Sequence, residues 1–379
     1  MHLHMPDLTI NNLKVKKPII QGGMGVGISM SNLASAVVNE GGIGVISSIG
    51  LGLLTERQKK SSYKEGNKQT LKHEIRRARS LTSGVLGLNI MVAVTDYDEL
   101  VKLAFDEEID IIFLGAGLPL KLPPAITIDR IKNGMTKVAI IVSSGRAANL
   151  IFQSWQKRYD HVPDLVVVEG PMAGGHLGFK KEQIFNPVYA LELLIPDVLS
   201  MVKRYEIIYE KSIPVIAAGG IYTGADIFKF MELGVQGVQM GTRFVATHEC
   251  DASQGFKQAY IDCKQEDITI IESPVGLPGR AIRNQFLNEV TAGKRKPFRC
   301  PWKCLKTCDY REAPYCIAKA LINAQKGNVG EGYTFAGANA YRVQEIISVK
   351  QLFEKLDMEY SEAVMEFINQ PVLPDVISV

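Results

Sequence analysis

Short apolar runs alternate with longer stretches of helical period along most of this chain. The first two runs are Pro18-Ile19-Ile20-Gln21 and Ile43-Gly44-Val45-Ile46, and six more follow at Gly84–Val92, Ile109–Leu114, Lys137–Val142, Asp164–Val168, Ile213–Ala218 and Gly237–Met240. Runs this short and this nearly continuous are expected of strands in a parallel sheet covered on both faces. Between them, Ser29–Glu40 and Thr223–Leu233 read as helices. Thr223-Gly224-Ala225-Asp226 carries an oxygen side chain and an acid three residues on, a pairing that satisfies free N–H groups at a helix start, while Gly41-Gly42 and Gly234 supply stops. Eight strand–helix units in series predict an α/β fold closed as a (β/α)₈ barrel, with an open doubly wound sheet as the competing architecture.

After the eighth run, Ala246–Gly332 reads as a helical, more charged segment that precedes Phe335-Ala336-Gly337-Ala338-Asn339-Ala340-Tyr341. Three parts are therefore expected: a barrel over 1–245, an added helical lid over 246–334, and a return to the barrel over 335–379.

With 379 residues the chain can bury a large core, so a barrel with an added piece suits it better than a small module. The formal net charge is +3, spread thinly apart from Lys59-Lys60 and Lys294-Arg295-Lys296, and no nucleic-acid partner is expected. No window of eighteen consecutive apolar residues occurs, and Met1-His2-Leu3-His4-Met5 lacks the regions of a signal peptide. No membrane association and a cytoplasmic location are the expectation. In that compartment thiols stay reduced, so the six cysteines argue poorly for disulfides.

In such barrels the active site lies at the carboxyl ends of the strands, and phosphate commonly binds after the seventh and eighth. Here the seventh strand ends Ala218-Gly219-Gly220-Ile221 just before a helix start, and the eighth ends Met240-Gly241-Thr242-Arg243. Glycines let backbone N–H groups approach phosphate oxygens, and a helix N-terminus adds a favourable field. At the first strand Gln21-Gly22-Gly23-Met24-Gly25 leaves little bulk, so a flat ring system fits, and Asn89 is a polar group on the same face. The sixth strand leads into Glu169-Gly170-Pro171-Met172-Ala173-Gly174-Gly175-His176-Leu177-Gly178. A histidine among glycines at a strand end can reach a ligand, and its ordinary pKa of ~6.5 suits proton transfer. Glu169 is placed to orient His176 or to bind a cofactor. His161 and His248 lack such surroundings and read as structural or merely exposed.

These stretches resemble the nitronate monooxygenases, once called 2-nitropropane dioxygenases, and the related flavin-dependent enoyl-ACP reductases. The resemblance rests on Pro18 to Met24, Gly87-Leu88-Asn89, Glu169-Gly170 with Ala173 to His176, Pro214 to Ile221, and Gln239-Met240-Gly241-Thr242-Arg243-Phe244, in order along the barrel. It implies FMN, with Gly23 and Met24 beside the isoalloxazine, Asn89 bonded to the flavin, and Ala173, Gly174 and Gly175 lining its pocket. Gly219, Gly220, Gly241 and Thr242 would hold its phosphate, Gly337-Ala338-Asn339 would present a turn to it, and His176 would be the active-site histidine. The flavin would supply the redox chemistry and the protein geometry and electrostatics. Two activities follow from the resemblance: oxidation of an alkyl nitronate with oxygen, and NAD(P)H-dependent reduction of an enoyl thioester. A flavin redox-sensing module is the third, non-enzymatic reading.

One stretch departs from those relatives. Cys300-Pro301-Trp302-Lys303-Cys304-Leu305-Lys306-Thr307-Cys308, with Cys316 further on, offers four thiols that could share a helix face or converge in a loop. Four thiolates suit an iron–sulfur cluster or zinc, although the spacing matches neither a zinc ribbon nor a ferredoxin run, and free cysteines packing the lid are the competing reading. Cys250 and Cys263 are expected on a helix, in the core.

Overall fold

Each of the eight apolar runs forms a parallel strand in the computed structural model, which describes residues 3–54, 62–295, 300 and 302–369. Met1, His2, Lys59, Lys60, Lys296, Pro301 and residues 370–379 lie outside the described residues. An antiparallel pair, β1 (Leu8–Ile10) and β2 (Leu13–Val15), is followed by β3 (Ile19–Gln21), α1 (Ser31–Asn39), β4 (Gly44–Ser47), α2 (Tyr63–Leu81), β5 (Leu86–Met91), α3 (Tyr97–Asp106) and β6 (Ile111–Gly115). The chain continues through α4 (Ile128–Lys132), β7 (Lys137–Val142), α5 (Gly145–Tyr159), β8 (Leu165–Glu169), the short β9 (Gly175–His176), α6 (Leu191–Tyr209), β10 (Val215–Ala218), α7 (Gly224–Glu232), β11 (Gly237–Met240) and α8 (Thr242–Val245). Last come α9 (Gln254–Ile261), β12 (Ile268–Glu272), β13 (Pro278–Ile282), α10 (Gln285–Thr291), α11 (Ile317–Gln325) and α12 (Val349–Ile368).

The large sheet runs β4-β5-β6-β7-β8-β10-β11-β3, and a parallel bridge between Ile20 and Ile43 joins its two edges. Ile43 N–H donates to Ile19 O and Gln21 N–H to Ile43 O, both at 2.9 Å, so the sheet is a closed barrel. Closure leaves no exposed edge, and the interior is filled by Ile20, Val45, Phe113, Val167 and Ile216. Leu8, Ile10 and Val15 of the β1–β2 hairpin join this interior cluster. Asn11 at the hairpin turn donates to Asp164 Oδ1 at 2.7 Å, at the start of β8, which sets the hairpin as a plug in the amino-terminal mouth.

Both anticipated helices form within a residue or two of their expected ends. At α7 Thr223 Oγ1 accepts the Asp226 N–H at 3.1 Å, and Asp226 Oδ2 accepts the Thr223 N–H at 2.9 Å. Helix α12 lies across the start of α7 so closely that a Cβ on Gly224 would meet Leu356 O at 2.2 Å. This contact brings the end of the described chain back to the barrel.

The added segment is not wholly helical. β12 and β13 form an antiparallel hairpin, and β13 pairs with β9, setting Gly279 opposite His176 and Arg280 opposite Gly175. The cause is local: Ile268-Thr269-Ile270-Ile271 is rich in β-branched residues, and the turn closes through Gly276 in the left-handed region at φ +86. Cys250 and Cys263 are buried as expected, but they flank α9 and do not lie on it. Among the described residues no helix is long and apolar enough to cross a membrane.

Candidate active site

At the carboxyl ends of the barrel strands lies a cavity of about 280 Å³. It is lined by Gly23 and Met24 after β3, Asn89 on β5, Glu169 at the end of β8, Ala173, Gly174, Gly175 and His176, Gly219 and Gly220 after β10, and Gly241 and Thr242 at the β11–α8 junction. The structure thus brings every candidate barrel residue to one cavity. The added segment contributes Tyr260, Ile317, Ala318 and Leu321, and Phe335 follows it, as an apolar wall.

Backbone proximity dictates several of the glycines. A Cβ on Gly23 would lie 2.3 Å from Asn89 Cβ, and one on Gly174 would lie 2.6 Å from the carbonyl carbon of Ala336. Gly219 and Gly220 both sit at positive φ, +94 and +89, so the chain turns sharply between β10 and the start of α7. Such a turn directs consecutive N–H groups into one concavity, the arrangement that receives phosphate. At Gly241 the atom nearest to an added Cβ is Met24 Sδ at 3.5 Å, so a side chain there would enter the cavity. The Gly337 to Asn339 turn closes over this end: Gly337 N–H donates to Thr242 Oγ1 at 3.1 Å and Asn339 Nδ2 to Gly220 O at 2.6 Å. Glycine backbone, the Thr242 hydroxyl and apolar walls, with no lysine or arginine among the described lining residues, fit a flavin whose phosphate is held by hydrogen bonds.

His176 projects from β9 with its Nε2 2.7 Å from Ser273 Oγ on the lid hairpin. Ser273 Oγ also accepts the Val275 N–H at 3.3 Å, and the Phe335 ring meets the imidazole edge-on at 4.9 Å between centroids. Burial holds the His176 pKa down to about 4, so the imidazole is neutral at pH 7. Glu169 makes no hydrogen bond to His176; the orienting partner expected of it is Ser273 instead. Enclosure raises the Glu169 carboxyl to about 7. Arg280 is 4% exposed, and its Nη1 donates to Pro171 O and Ala173 O at 2.5 and 2.6 Å. Burial lowers its pKa only to about 10, so it remains a cation, and no described carboxylate pairs with it. Ser273 and Arg280 escaped the sequence reading. Their signal was the β-branched run Ile268–Ile271 ahead of a Pro-Val-Gly turn, which marks the first arm of a hairpin.

Cys300, Cys304, Cys308 and Cys316 lie between α10 and α11, close enough that charge on one would raise the pKa of another. Among the described residues no group of three or more His, Cys, Asp or Glu side chains is placed to hold a metal ion, and the iron–sulfur cluster or zinc expected of these four thiols is not shown. Cys304, Cys308 and Cys316 lie against hydrophobic clusters, and burial pushes the Cys304 thiol up to about 12. Of the four, Cys304 reaches the cavity wall. His161 is half-buried, 3.8 Å from Asp164 Oδ1, and His248 is exposed, both outside the cavity.

Comparison with known proteins agrees with this geometry. The family model described as nitronate monooxygenase matches residues 7–100 and 85–359. A probable nitronate monooxygenase of Staphylococcus aureus (strain Newman) is 29% identical over 376 residues, covering 90% of this chain and 97% of its own. FabK from Thermotoga maritima superposes with a TM-score of 0.70 at 27% identity, covering 93% of this chain and 96% of FabK. A nitroalkane oxidase from Streptomyces ansochromogenes shares the fold, with a TM-score of 0.69 at 21% identity over 93% of this chain and 98% of its own. This chain belongs to the nitronate monooxygenase family and is an FMN-dependent oxidoreductase.

Proposed function

We propose that the cavity binds FMN and that the protein oxidises alkyl nitronates with oxygen. The observation that carries this reading is Arg280, a buried cation without a carboxylate partner in the strand beside His176. A positive charge buried behind the cavity in a low-dielectric surrounding favours an anionic ligand, and a nitronate is an anion whereas the thioester group of an enoyl substrate is neutral. In this reading Gly219, Gly220, Gly241 and Thr242 hold the phosphate, Gly23, Met24 and Asn89 border the ring system, and Ala173, Gly174, Gly175 and Glu169 line it. FMN, when bound, supplies the electron acceptor and the route to oxygen.

The protein's own part is placement. Neutral His176, anchored at Nε2 by Ser273, keeps Nδ1 for the substrate nitro group or carbon. An imidazole with so low a pKa is a poor proton donor at pH 7, which suits a substrate that arrives already deprotonated. Phe335, Ile317 and Leu321 take the alkyl part and exclude water.

The apolar lid wall supports a second reading, reduction of an enoyl thioester with NAD(P)H, since an acyl chain would also lie against it. Anaerobic flavin reduction tested separately with propyl nitronate, NADH and NADPH separates the two. Reduction by the nitronate and not by the nicotinamides is expected; the reverse pattern would replace the first reading with the second.

A further inference from the structure

A second pocket, of about 400 Å³, shares no lining residue with the first. It lies among the start of α7, helix α8, the loop 341–347 and helix α12, and three cations face it: Arg243, Arg342 and Lys355. Among the described residues none of the three makes an ion pair. Arg243 and Arg342 both stack on the ring of Tyr222, with guanidinium carbons 4.5 and 4.3 Å from its centroid. Two like charges therefore share one aromatic ring. The inner guanidinium, that of Arg243, also has Nε and Nη2 shut off from solvent without an acceptor.

A buried guanidinium edge without an acceptor is costly, and so is bringing a second cation to the same ring. Both costs are relieved by one anion. Glu345 and Glu359 line the pocket as well, but Glu359 already accepts the Gly224 N–H at 2.8 Å, and the cations still outnumber the acids. The fork of an arginine matches two oxygens of a tetrahedral anion, and a second arginine and a lysine at the rim suit the charge of a phosphate better than that of one carboxylate.

We propose that this pocket is an anion site that takes a phosphate group, carried by an inorganic phosphate species or by a nucleotide. Tyr341 on the pocket wall offers a surface against which a base could lie. Tyr222 follows the Gly219-Gly220 turn and Arg243 follows Thr242, so the site backs onto the loops assigned to the cofactor phosphate without being part of them. It stands independently of the nitronate reading.

The test is isothermal titration of the protein as purified with pyrophosphate and, in parallel, with ADP at low ionic strength. Saturable binding is expected, weakened by about tenfold or more in Arg342→Gln and in Lys355→Gln, with the bound flavin spectrum unchanged. Tighter binding of ADP than of pyrophosphate would identify a nucleotide as the source, and equal binding the phosphate alone. Absence of saturable binding, affinity undiminished in both variants, or release of flavin by the added anion would overturn the proposal. Protein lacking flavin would still report on this pocket, so failure here and failure of the flavin reading are distinct.

Discussion

Ser273 Oγ lies 2.7 Å from His176 Nε2 and ties the lid hairpin to the glycine-rich loop after β8. The two residues are 97 positions apart, and the hydroxyl is itself held by the Val275 N–H. Ser273→Ala should leave the fold intact, because the strand pairing of β9 with β13 is made by backbone, but should free the imidazole to rotate. Turnover is expected to fall by about tenfold, in keeping with one lost hydrogen bond of about 1–1.5 kcal/mol. Steady-state kinetics at pH 7 measure this, and unchanged kcat and KM would remove Ser273 from the site.

His176→Asn keeps a polar side chain of smaller size and should retain flavin while losing about 10²-fold or more in turnover. Flavin content by absorbance and nitronate oxidation by oxygen uptake are the two readouts. Full activity with normal flavin content would show that His176 does not touch the substrate.

The raised pKa of Glu169 sets a pH dependence. Its carboxyl titrates at 4.5 in the unfolded chain and at about 7 when folded, so between those values the folded state holds the extra proton. The contribution of this group to stability is therefore complete below pH 4.5 and is lost as pH rises through 7. Melting temperatures from pH 4.5 to 8 should show a downward component that Glu169→Gln lacks; parallel curves for the two proteins would contradict this.

Arg280→Met should be costly twice over. It leaves Pro171 O and Ala173 O without their donor, for a loss of about 2–4 kcal/mol, and it removes the cation behind the cavity. Arg280→Lys keeps the charge, so it should restore much of the affinity for an anionic substrate while remaining less stable than the wild type. If KM for a nitronate were the same in both variants, the electrostatic role would be wrong.

Two glycine substitutions should behave oppositely. Gly174→Ala drives a Cβ into backbone at 2.6 Å and should destabilise the protein by about 1–3 kcal/mol. Gly241→Ala meets nothing closer than Met24 Sδ at 3.5 Å, so stability should hold within about 0.5 kcal/mol while flavin affinity drops by about tenfold. Thermal unfolding with and without added FMN distinguishes the two.

The thiols give a chemical test of the packing found for them. With its pKa pushed up to about 12, Cys304 is almost wholly protonated at pH 8 and should react with iodoacetamide at least about 100-fold more slowly than a free cysteine. Peptide mapping after timed alkylation measures this, and rapid labelling at Cys304 would contradict its burial.

Much of this architecture was legible in the residues alone. Apolar runs such as Lys137–Val142 and Gly237–Met240 formed strands with the expected bounds, because a strand covered on both faces must be apolar at consecutive positions. The Gly219-Gly220 turn was equally visible, since positive φ is written locally in the residue type. What escaped was whatever depends on distant segments meeting. The β1–β2 plug is recognisable only once the barrel has a mouth to fill, and the lid hairpin matters because its edge meets β9.

The sequence by itself therefore determined the eight strands, the ring of glycines at their carboxyl ends and the presence of His176 among them, because backbone preference and hydrophobic period act over a few residues. Only the tertiary structure decided that Ser273 anchors the imidazole, that Arg280 lies behind it uncompensated, and that Cys304, Cys308 and Cys316 pack against apolar clusters. Those outcomes turn on side-chain distances and burial between segments remote in the chain, and no local pattern encodes them.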